Sequence, residues 1–286
     1  MQASYQNPNE REEILQVLDA AFPSIVERIE LAHSLGWNWE DCTTPFVSRE
    51  EGEIVAHVGV LETKLRVNGE DLELAGVHAV SCKPEHRRKG HMRRAMTAAL
   101  AYIDSKKLPS LLTCEKPELY TSFGFEAVSE HMSWVSSPST KNQSLLQALE
   151  NNASNLEVLQ QALQARAPIS ETWCMRDQGW VFGICEVFCS KGLQRIQTNE
   201  SKDLFVVSQN KDNALHLYDI VAKERPSFHE VISQVPGKFD QVCIHFPTQG
   251  WIEPESLESF PPDDVLMVRG NLPLAEVRCF PPTARW

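Results

Sequence analysis

The chain has 286 residues, of which 42% are hydrophobic and 23% are charged, and its formal net charge is -12 at pH 7. This composition is typical of a globular protein, and the length suits one large domain or two domains of ordinary size. The acidic excess argues against nucleic-acid and anionic-membrane partners, and no run of about 18 apolar residues predicts a membrane-spanning helix.

The first elements predicted along the chain are two helices. Asn9 and Glu12 have the spacing of a capping box and precede an apolar face with helical periodicity. A second helix is predicted from Ser24 to Leu35, because residue 36 is a glycine, the usual left-handed stop. Trp37 and Trp39 follow directly, and this pair is consistent with core packing or with the wall of a binding pocket.

A long hairpin is predicted next. Residues 54–61 form a continuous apolar strand, residues 63–67 alternate, and Asn68-Gly69 is a type I′ turn signal. Residues 72–82 return as a second strand, which is apolar on both faces and therefore predicted to be central in the sheet.

A basic turn follows this central strand and leads into an amphipathic helix. The cations of the turn and of the first helical turn are Arg87, Arg88, Lys89, Arg93 and Arg94. A helix N-terminus presents unpaired N–H groups and the positive end of the dipole, so cations there are unfavourable unless an anion binds. Gly90 would let the backbone approach a bulky phosphate closely. The stretch therefore predicts a phosphate-binding site, although a solvated basic face is the simpler alternative.

The elements after this helix suggest a boundary near residue 137. A short strand at 110–114, a helical turn at 117–122 and a final strand at 125–135 complete the first domain, which we place at residues 1–137. Ser136-Ser137-Pro138-Ser139 marks a change in composition. Residues 138–286 are predicted to form the second domain.

The second domain is predicted to repeat the order of the first. A helix is expected at 141–165, strands at 181–188 and 204–207, a hairpin return at 214–221, a helix at 227–235, and strands at 242–246 and 265–268. Residues 222–226 occupy the place of the basic turn but contain no glycine, so close backbone approach to a phosphate is lost. The fold class predicted for the whole chain is α/β.

The eight cysteines give no sign of a metal site or of a disulfide framework. Cys185 and Cys189 are four residues apart without a matching Cys/His pair, so no metal is expected. The N-terminus is polar and has no apolar core of a secretion signal. A reduced, cytoplasmic protein is the expectation.

The run Arg87-Arg88-Lys89-Gly90-His91-Met92, preceded by Pro84, resembles the acetyl-CoA pyrophosphate loop of the GNAT N-acetyltransferase superfamily. Together with the Tyr120-to-Phe125 element (Tyr-x-x-Phe-Gly-Phe), it resembles the enhanced-intracellular-survival (Eis-like) branch, in which Met92 would be acceptable. This resemblance implies two tandem GNAT-like domains, the second degenerate. Members of this branch usually add a sterol-carrier-like domain, and this chain is expected to end before one could fit.

The resemblance also implies the residues of the site. The expected cofactor-binding residues are Val80, Ser81, Cys82, Arg87, Arg88, Lys89, Gly90, His91, Met92, Arg93, Glu115 and Lys116. Tyr120 is the expected acid for the departing thiolate. The first helices border the acceptor in this family, so Trp37 and Trp39 are candidate substrate-binding residues.

Two candidates stand for the catalytic base. The place of the glutamate that many family members use is near Gly76, which cannot serve, whereas His78 points to the same strand face and has a suitable reference pKa. Eis-like enzymes use the C-terminal carboxylate instead, which Trp286 would carry.

The predicted function is transfer of an acetyl group from acetyl-CoA to a primary amine, by direct attack in a ternary complex. Candidate acceptors are an aminoglycoside-like or polyamine-like small cation, or a protein lysine. The alternative is a non-catalytic CoA-binding sensor or scaffold. Hydrolase, Walker and dinucleotide motifs do not occur in the sequence.

Overall fold

Strands from both halves of the chain build two mixed β-sheets. The computed structural model describes residues 1–138, 145–176, 179–190, 193–261, 264–272 and 279–285. Its strands are β1 (Thr44–Glu50), β2 (Glu53–Val67), β3 (Glu70–Cys82), β4 (Ser110–Cys114), β5 (Glu126–Ala127), β6 (His131–Ser136), β7 (Gln147–Ala148), β8 (Trp173–Arg176), β9 (Ile196–Thr198), β10 (Leu204–Lys211), β11 (Ala214–Ala222), β12 (Gln241–Ile244), β13 (Ser256–Ser259) and β14 (Val265–Arg269). Its helices are α1 (Pro8–Ala21), α2 (Ile25–Ser34), α3 (Trp39–Cys42), α4 (His91–Ser105), α5 (Ala153–Gln164), α6 (Gly179–Ser190) and α7 (Phe228–Gln234). The α/β fold class is confirmed.

The first sheet has the strand order β1-β2-β3-β4-β14-β5, with β8 added along β2. The β2–β3 hairpin forms as predicted, and Asn68 and Gly69 both have positive φ, as a type I′ turn requires. Helix α4 packs on one face of this sheet, with Ala95, Met96 and Ala99 fully buried. Helices α1 and α2 pack on the other face. The strand that leads to the basic turn therefore lies between two layers of helices.

The second sheet has the order β13-β6-β12-β11-β10-β9-β7. Its β10–β11 hairpin, helix α7 and parallel strand β12 reproduce the order of β2, β3, α4 and β4, as the sequence predicts. Helix α7 begins at a capping box in which Ser227 and Glu230 each accept a hydrogen bond from the other's backbone N–H. Val231 and Ile232 of α7 are fully buried against the sheet.

Three strands, β6, β8 and β14, each join the sheet that is built mainly from the other half of the chain, and the sequence did not predict this. The strand expected at 125–135 is broken into β5, which belongs to the first sheet, and β6, which belongs to the second. Strand β14 pairs between β4 and β5, so a late segment completes the first sheet. The boundary at residue 137 remains a prediction, and both sheets contain strands from each side of it.

The strand predicted at 181–188 is wrong, because these residues lie in helix α6. Its apolar residues contact two different clusters: Phe182 and Val187 pack with α1 and α2, whereas Val181 and Cys185 pack with the first sheet and Phe280. A helix that is apolar on most of its surface has no clear amphipathic period, and its sequence therefore resembles that of a buried strand. Within the described residues no helix has both the length and the apolar character needed to cross a membrane.

Candidate active site

The basic turn between β3 and α4 presents free backbone N–H groups. Helix α4 begins after Gly90, which has φ +82° and gives no side-chain cap. Arg88 also has positive φ, at +63°, so the backbone reverses twice over a few residues. Within the described residues, the N–H groups of residues 91–93 have no backbone acceptor. Such a concave set of N–H groups at a helix start favours anion binding.

Strands β3 and β4 separate beside this turn. They are parallel but pair only at Ala75 with Ser110 and at Gly76 with Leu111. From Val77 to Cys82 the β4 side of β3 is therefore unpaired with its parallel neighbour, although β2 pairs with the other side. The predicted residues Val80, Ser81 and Cys82 lie along this free edge. An extended ligand that enters the gap can form main-chain hydrogen bonds there.

A β-bulge changes the direction of β3 inside the gap. His57 pairs with Ser81 whereas Gly59 pairs with His78, so β3 has one residue more than β2 over this interval. Ala79 at the bulge has φ +50°, a conformation unfavourable for a residue with a Cβ. Bulges redirect backbone groups and side chains and often occur next to active sites.

Not every cation of the turn is available to a ligand. Lys89 Nζ donates to Glu50 Oε2 over 3.2 Å, and His86 also pairs closely with this carboxylate. Both hydrogen bonds lower the pKa of Glu50, the one to His86 most. Arg94 donates to Ser48 Oγ and contacts His91 Nδ1. Arg88 is exposed and forms no ion pair with any described residue. It is therefore the cation of the turn that is most available to a ligand.

The remaining predicted cofactor residues lie around the same gap. Arg93 is exposed on α4, and its guanidinium lies 5.0 Å from the centre of the Phe123 ring. Met92, in the first turn of α4, is half-buried against the cluster that includes residues of β3. Glu115 and Lys116 are exposed directly after β4. The structure thus brings all twelve predicted residues to the end of the first sheet where β3 and β4 separate.

Tyr120 is nearly buried, in the short helical segment that follows β4. Only 8% of its surface is exposed, and it packs against α4. Its ring also lies edge to face against Phe125, with 6.4 Å between the two ring centres. Burial raises the pKa of its hydroxyl to about 12, with a smaller contribution from Cys114. The phenol therefore stays protonated at neutral pH and can act as a proton donor.

His78 lies on the opposite face of β3, inside the protein. Its Nε2 hydrogen-bonds with Thr43 Oγ1 at 3.2 Å, and its ring lies so close to Gly59 that a Cβ there would be 2.7 Å from Nε2. Burial lowers the pKa of His78 to about 3. This environment favours a neutral core histidine and counts against the predicted role as a base.

The two tryptophans are also core residues. Trp37 is 2% exposed, and a Cβ at Gly183 would lie 2.1 Å from its Cδ2, so α6 packs directly on the indole. Trp39 is 4% exposed and makes an edge contact with His78 at 4.8 Å. Their burial favours the core-packing interpretation over the acceptor wall. Trp286, the other predicted catalytic residue, lies outside the described residues.

A buried hydrogen-bond chain behind the bulge was not predicted. Trp39 Nε1 donates to Tyr5 Oη over 3.1 Å, Tyr5 Oη lies 3.0 Å from His57 Nε2, and His57 Nδ1 lies 2.9 Å from the carbonyl oxygen of Ala79. The carbonyl can only accept, so His57 Nδ1 donates and Nε2 accepts from Tyr5. Burial lowers the pKa of His57 to about 4, which keeps the ring neutral. This chain of hydrogen bonds holds the carbonyl group of Ala79 in place at the strained bulge.

The acetyltransferase (GNAT) domain model matches residues 2–128. The uncharacterized N-acetyltransferase YhbS of Escherichia coli (strain K12) is 26% identical over 106 residues, which is 37% of this chain and 62% of that protein. This chain thus spans less than two thirds of the length of the curated relatives it matches.

Solved structures resemble most of the chain. The match to Eis1 from Mycobacterium abscessus covers 94% of this chain and 72% of the Eis1 chain, with a TM-score of 0.59 and 17% sequence identity. The match to a GCN5-related N-acetyltransferase from Kribbella flavida covers 91% of this chain and 68% of that protein's chain, with a TM-score of 0.57 and 15% sequence identity. These likenesses extend the common fold over both sheets. Residues 2–128 of this chain therefore match the GNAT acetyltransferase domain model, and the solved structures share the fold over most of the chain.

Proposed function

We propose that the chain transfers an acetyl group from acetyl-CoA to a primary amine. The observation that carries this proposal is the separation of β3 from β4 directly before an uncapped, glycine-led start of α4. A free strand edge and an anion-binding turn in series suit a ligand with an extended amide arm and a pyrophosphate. Acetyl-CoA is such a ligand, and it supplies an activated thioester when bound.

Different residues around the gap would bind different parts of acetyl-CoA and assist the transfer. The N–H groups at the start of α4 and the Arg88 guanidinium would bind the pyrophosphate. The free edge at Val80–Cys82 would pair with the amides of the arm, and the bulge at Ala79 would aim a backbone N–H at the thioester oxygen. Tyr120 would give its proton to the departing thiolate, whose reference pKa is about 8.5.

The amine must lose a proton before it attacks, since free alkylamines have a pKa of about 10. With a pKa of about 3, His78 is a poor acceptor for that proton. The carboxylate of Trp286 is the remaining candidate.

The likeness to Eis1 supports placing the chain in the Eis-like branch, with a small cationic amine or a protein lysine as acceptor. The rival proposal is a non-catalytic module that binds CoA. It would use the same turn and strand edge but would not depend on Tyr120.

The test is turnover of acetyl-CoA, read as free thiol release, with polyamines, aminoglycosides and lysine peptides between pH 7 and 9. Calorimetry with CoA runs in parallel. Thiol release driven by one class of amine supports the enzyme and identifies its acceptor. CoA binding without turnover would favour the rival module, and no CoA binding at all would contradict both.

A further inference from the structure

The second sheet carries a cluster of histidine and cysteine side chains that acetyl transfer does not use. His216 on β11 is paired in register with Cys243 on the parallel strand β12, and His245 follows β12. One ring nitrogen of each histidine and the Cys243 sulfur all lie within 4.8 Å of one another. Three soft or borderline ligand atoms thus converge from two neighbouring strands.

The distances within the cluster are close to those of a coordinated ion. His216 Nδ1 lies 2.9 Å from His245 Nε2, and Cys243 Sγ lies 3.9 Å from the thioether sulfur of Met132 on β6. Two nitrogens bound to one tetrahedral zinc at about 2.0–2.1 Å would be about 3.3 Å apart. The rings therefore need to separate by only about 0.4 Å to share an ion.

The surroundings are consistent with binding of a cation. Cys243 is fully buried and His245 is 7% exposed, whereas His216 is half-buried and gives access from the surface. The two nearby guanidinium groups each have a carboxylate partner, Arg195 with Glu186 at 2.5 Å and Arg285 with Glu130 at 2.8 Å.

We propose that His216, Cys243 and His245 bind a thiophilic d10 metal ion, Zn²⁺ or Cu⁺, with Met132 as a fourth ligand for Cu⁺. Thiolate, thioether and imidazole are the ligand types that favour these ions over Mg²⁺ and Ca²⁺. On binding, the Cys243 thiol proton leaves to solvent, and the ring that donates the His216–His245 hydrogen bond shifts its proton to the outer nitrogen. This site does not depend on the proposed acetyl transfer.

The position of the cluster gives the ion a structural role. Strands β11 and β12 pair from Ala214 to Leu217 and then separate, as β3 and β4 do in the first sheet. The backbone N–H of His245 donates to the carbonyl oxygen of Leu217, the last residue of β11 that pairs with β12. An ion here would link β6, β11 and β12 at the point where the second sheet opens.

The other histidine cluster is a weaker candidate. Glu50, His86 and His91 also offer ligand atoms within 4.8 Å. However, Lys89 Nζ already binds Glu50 at 3.2 Å, and Arg94 contacts His91 Nδ1 at 2.7 Å. Two cations in contact with the ligands oppose a third, so we assign no ion to this cluster.

The experiment is titration of the full chain, stripped with chelator and kept reduced, with Co²⁺ as a spectroscopic stand-in for Zn²⁺ and separately with Cu⁺ against a chromophoric chelator. We expect one equivalent, a sulfur-to-cobalt charge-transfer band and a higher melting temperature. Cys243→Ser should remove the band and weaken binding by about 10-fold or more. Cys189→Ser, at an exposed cysteine, is the matched control.

Two further variants keep the test decisive. His216→Asn changes the half-buried ligand and should weaken binding even if the Cys243 variant does not fold. Met132→Leu should weaken Cu⁺ binding and leave Zn²⁺ binding unchanged. Loss of the band in the Cys189 variant but not in the Cys243 variant, or the absence of a stoichiometric site for both ions, would overturn the proposal.

Discussion

At the scale of single residues, burial decides which side chains can exchange protons. Tyr120 and His78 lie on opposite faces of the first sheet, and both are held in their neutral forms because the charged form would lose its hydration. A neutral phenol is a proton donor, whereas a histidine that resists protonation is not a useful acceptor. Burial therefore keeps both groups neutral, but it makes the phenol a weaker acid and the imidazole a weaker base.

Tyr120→Phe should lower kcat about 100-fold to 10,000-fold with unchanged CoA affinity, because it removes the proton donor and keeps the ring. Turnover and calorimetry measure the two quantities. The matched control is Tyr102→Phe, since the Tyr102 hydroxyl on α4 donates to the exposed Glu62. Equal rates for wild type and Tyr120→Phe would remove the acid from the proposal.

The residues that are expected to bind through the backbone could be predicted from the sequence, whereas the residues that are joined by long-range contacts could not. Gly90 and the cations around it are contiguous, so a local pattern shows them. The chain of Trp39, Tyr5 and His57 joins side chains up to 52 positions apart. No local spacing reveals such a contact, and a lone histidine in an apolar strand gives no hint of its partner.

At the scale of elements, the contribution of the start of α4 to CoA binding can be measured separately from the backbone strain that a substitution at Gly90 introduces. Gly90→Ala should weaken CoA binding about 10-fold to 100-fold, as expected for the loss of one or two charge-assisted hydrogen bonds. Gly69→Ala is the control, since Gly69 has nearly the same φ, +85°, and open space around it. Both variants carry the conformational penalty of about 1–2 kcal/mol.

Calorimetry with CoA and thermal unfolding separate the two effects. Both variants should lower the melting temperature, and only Gly90→Ala should change CoA affinity. If the two variants bind CoA equally well, the turn before α4 is not the phosphate site.

Elements with a clear period were predicted well, and those that depend on tertiary context were not. The β2–β3 hairpin has alternation and a turn signal, and the structure contains it at the expected place. Helix α6 is apolar on most of its surface because it fills the space between two clusters, and its buried Glu186 is paired with Arg195. The partners of β14 could not be predicted, because a strand of five residues carries no information on which edge it joins.

At the scale of the whole molecule, the shared strands predict that the first 137 residues do not fold alone. Without β14, the backbone groups of β4 are left at an open edge, and without β8 the end of β2 is uncovered. Residues 1–137 should bind a hydrophobic dye and unfold without a cooperative transition. Co-expression with residues 138–286 should restore both. Cooperative unfolding of the fragment alone would establish residue 137 as a true domain boundary.

The buried histidines predict how stability depends on pH. In the unfolded chain, His57, His78 and His245 titrate near pH 6.5, whereas burial lowers their folded pKa to about 4, about 3 and about 3. The unfolded state therefore binds more protons below pH 6.5. The free energy of unfolding should be highest above that pH and fall by about 1.4 kcal/mol per pH unit for each histidine, down toward pH 4.

Urea unfolding between pH 7 and 5 measures this slope. His57→Gln should reduce it by about 1 kcal/mol per pH unit on average over this range, whereas His229→Gln, at an exposed histidine, should leave it unchanged. A slope that does not respond to the His57 substitution would show that burial of this ring does not control acid stability.

The insertion of β14 has a consequence for synthesis on the ribosome. Its partner β4 ends at Cys114, and β14 begins at Val265, so 151 residues of translation separate the two strands. At about 5–20 residues per second, the nascent chain waits roughly 8–30 s before the first sheet can close. During that interval β4 is available to chaperones and to other nascent chains. Slow codons placed between the two strands should therefore lower the yield of soluble protein more than slow codons placed after residue 269.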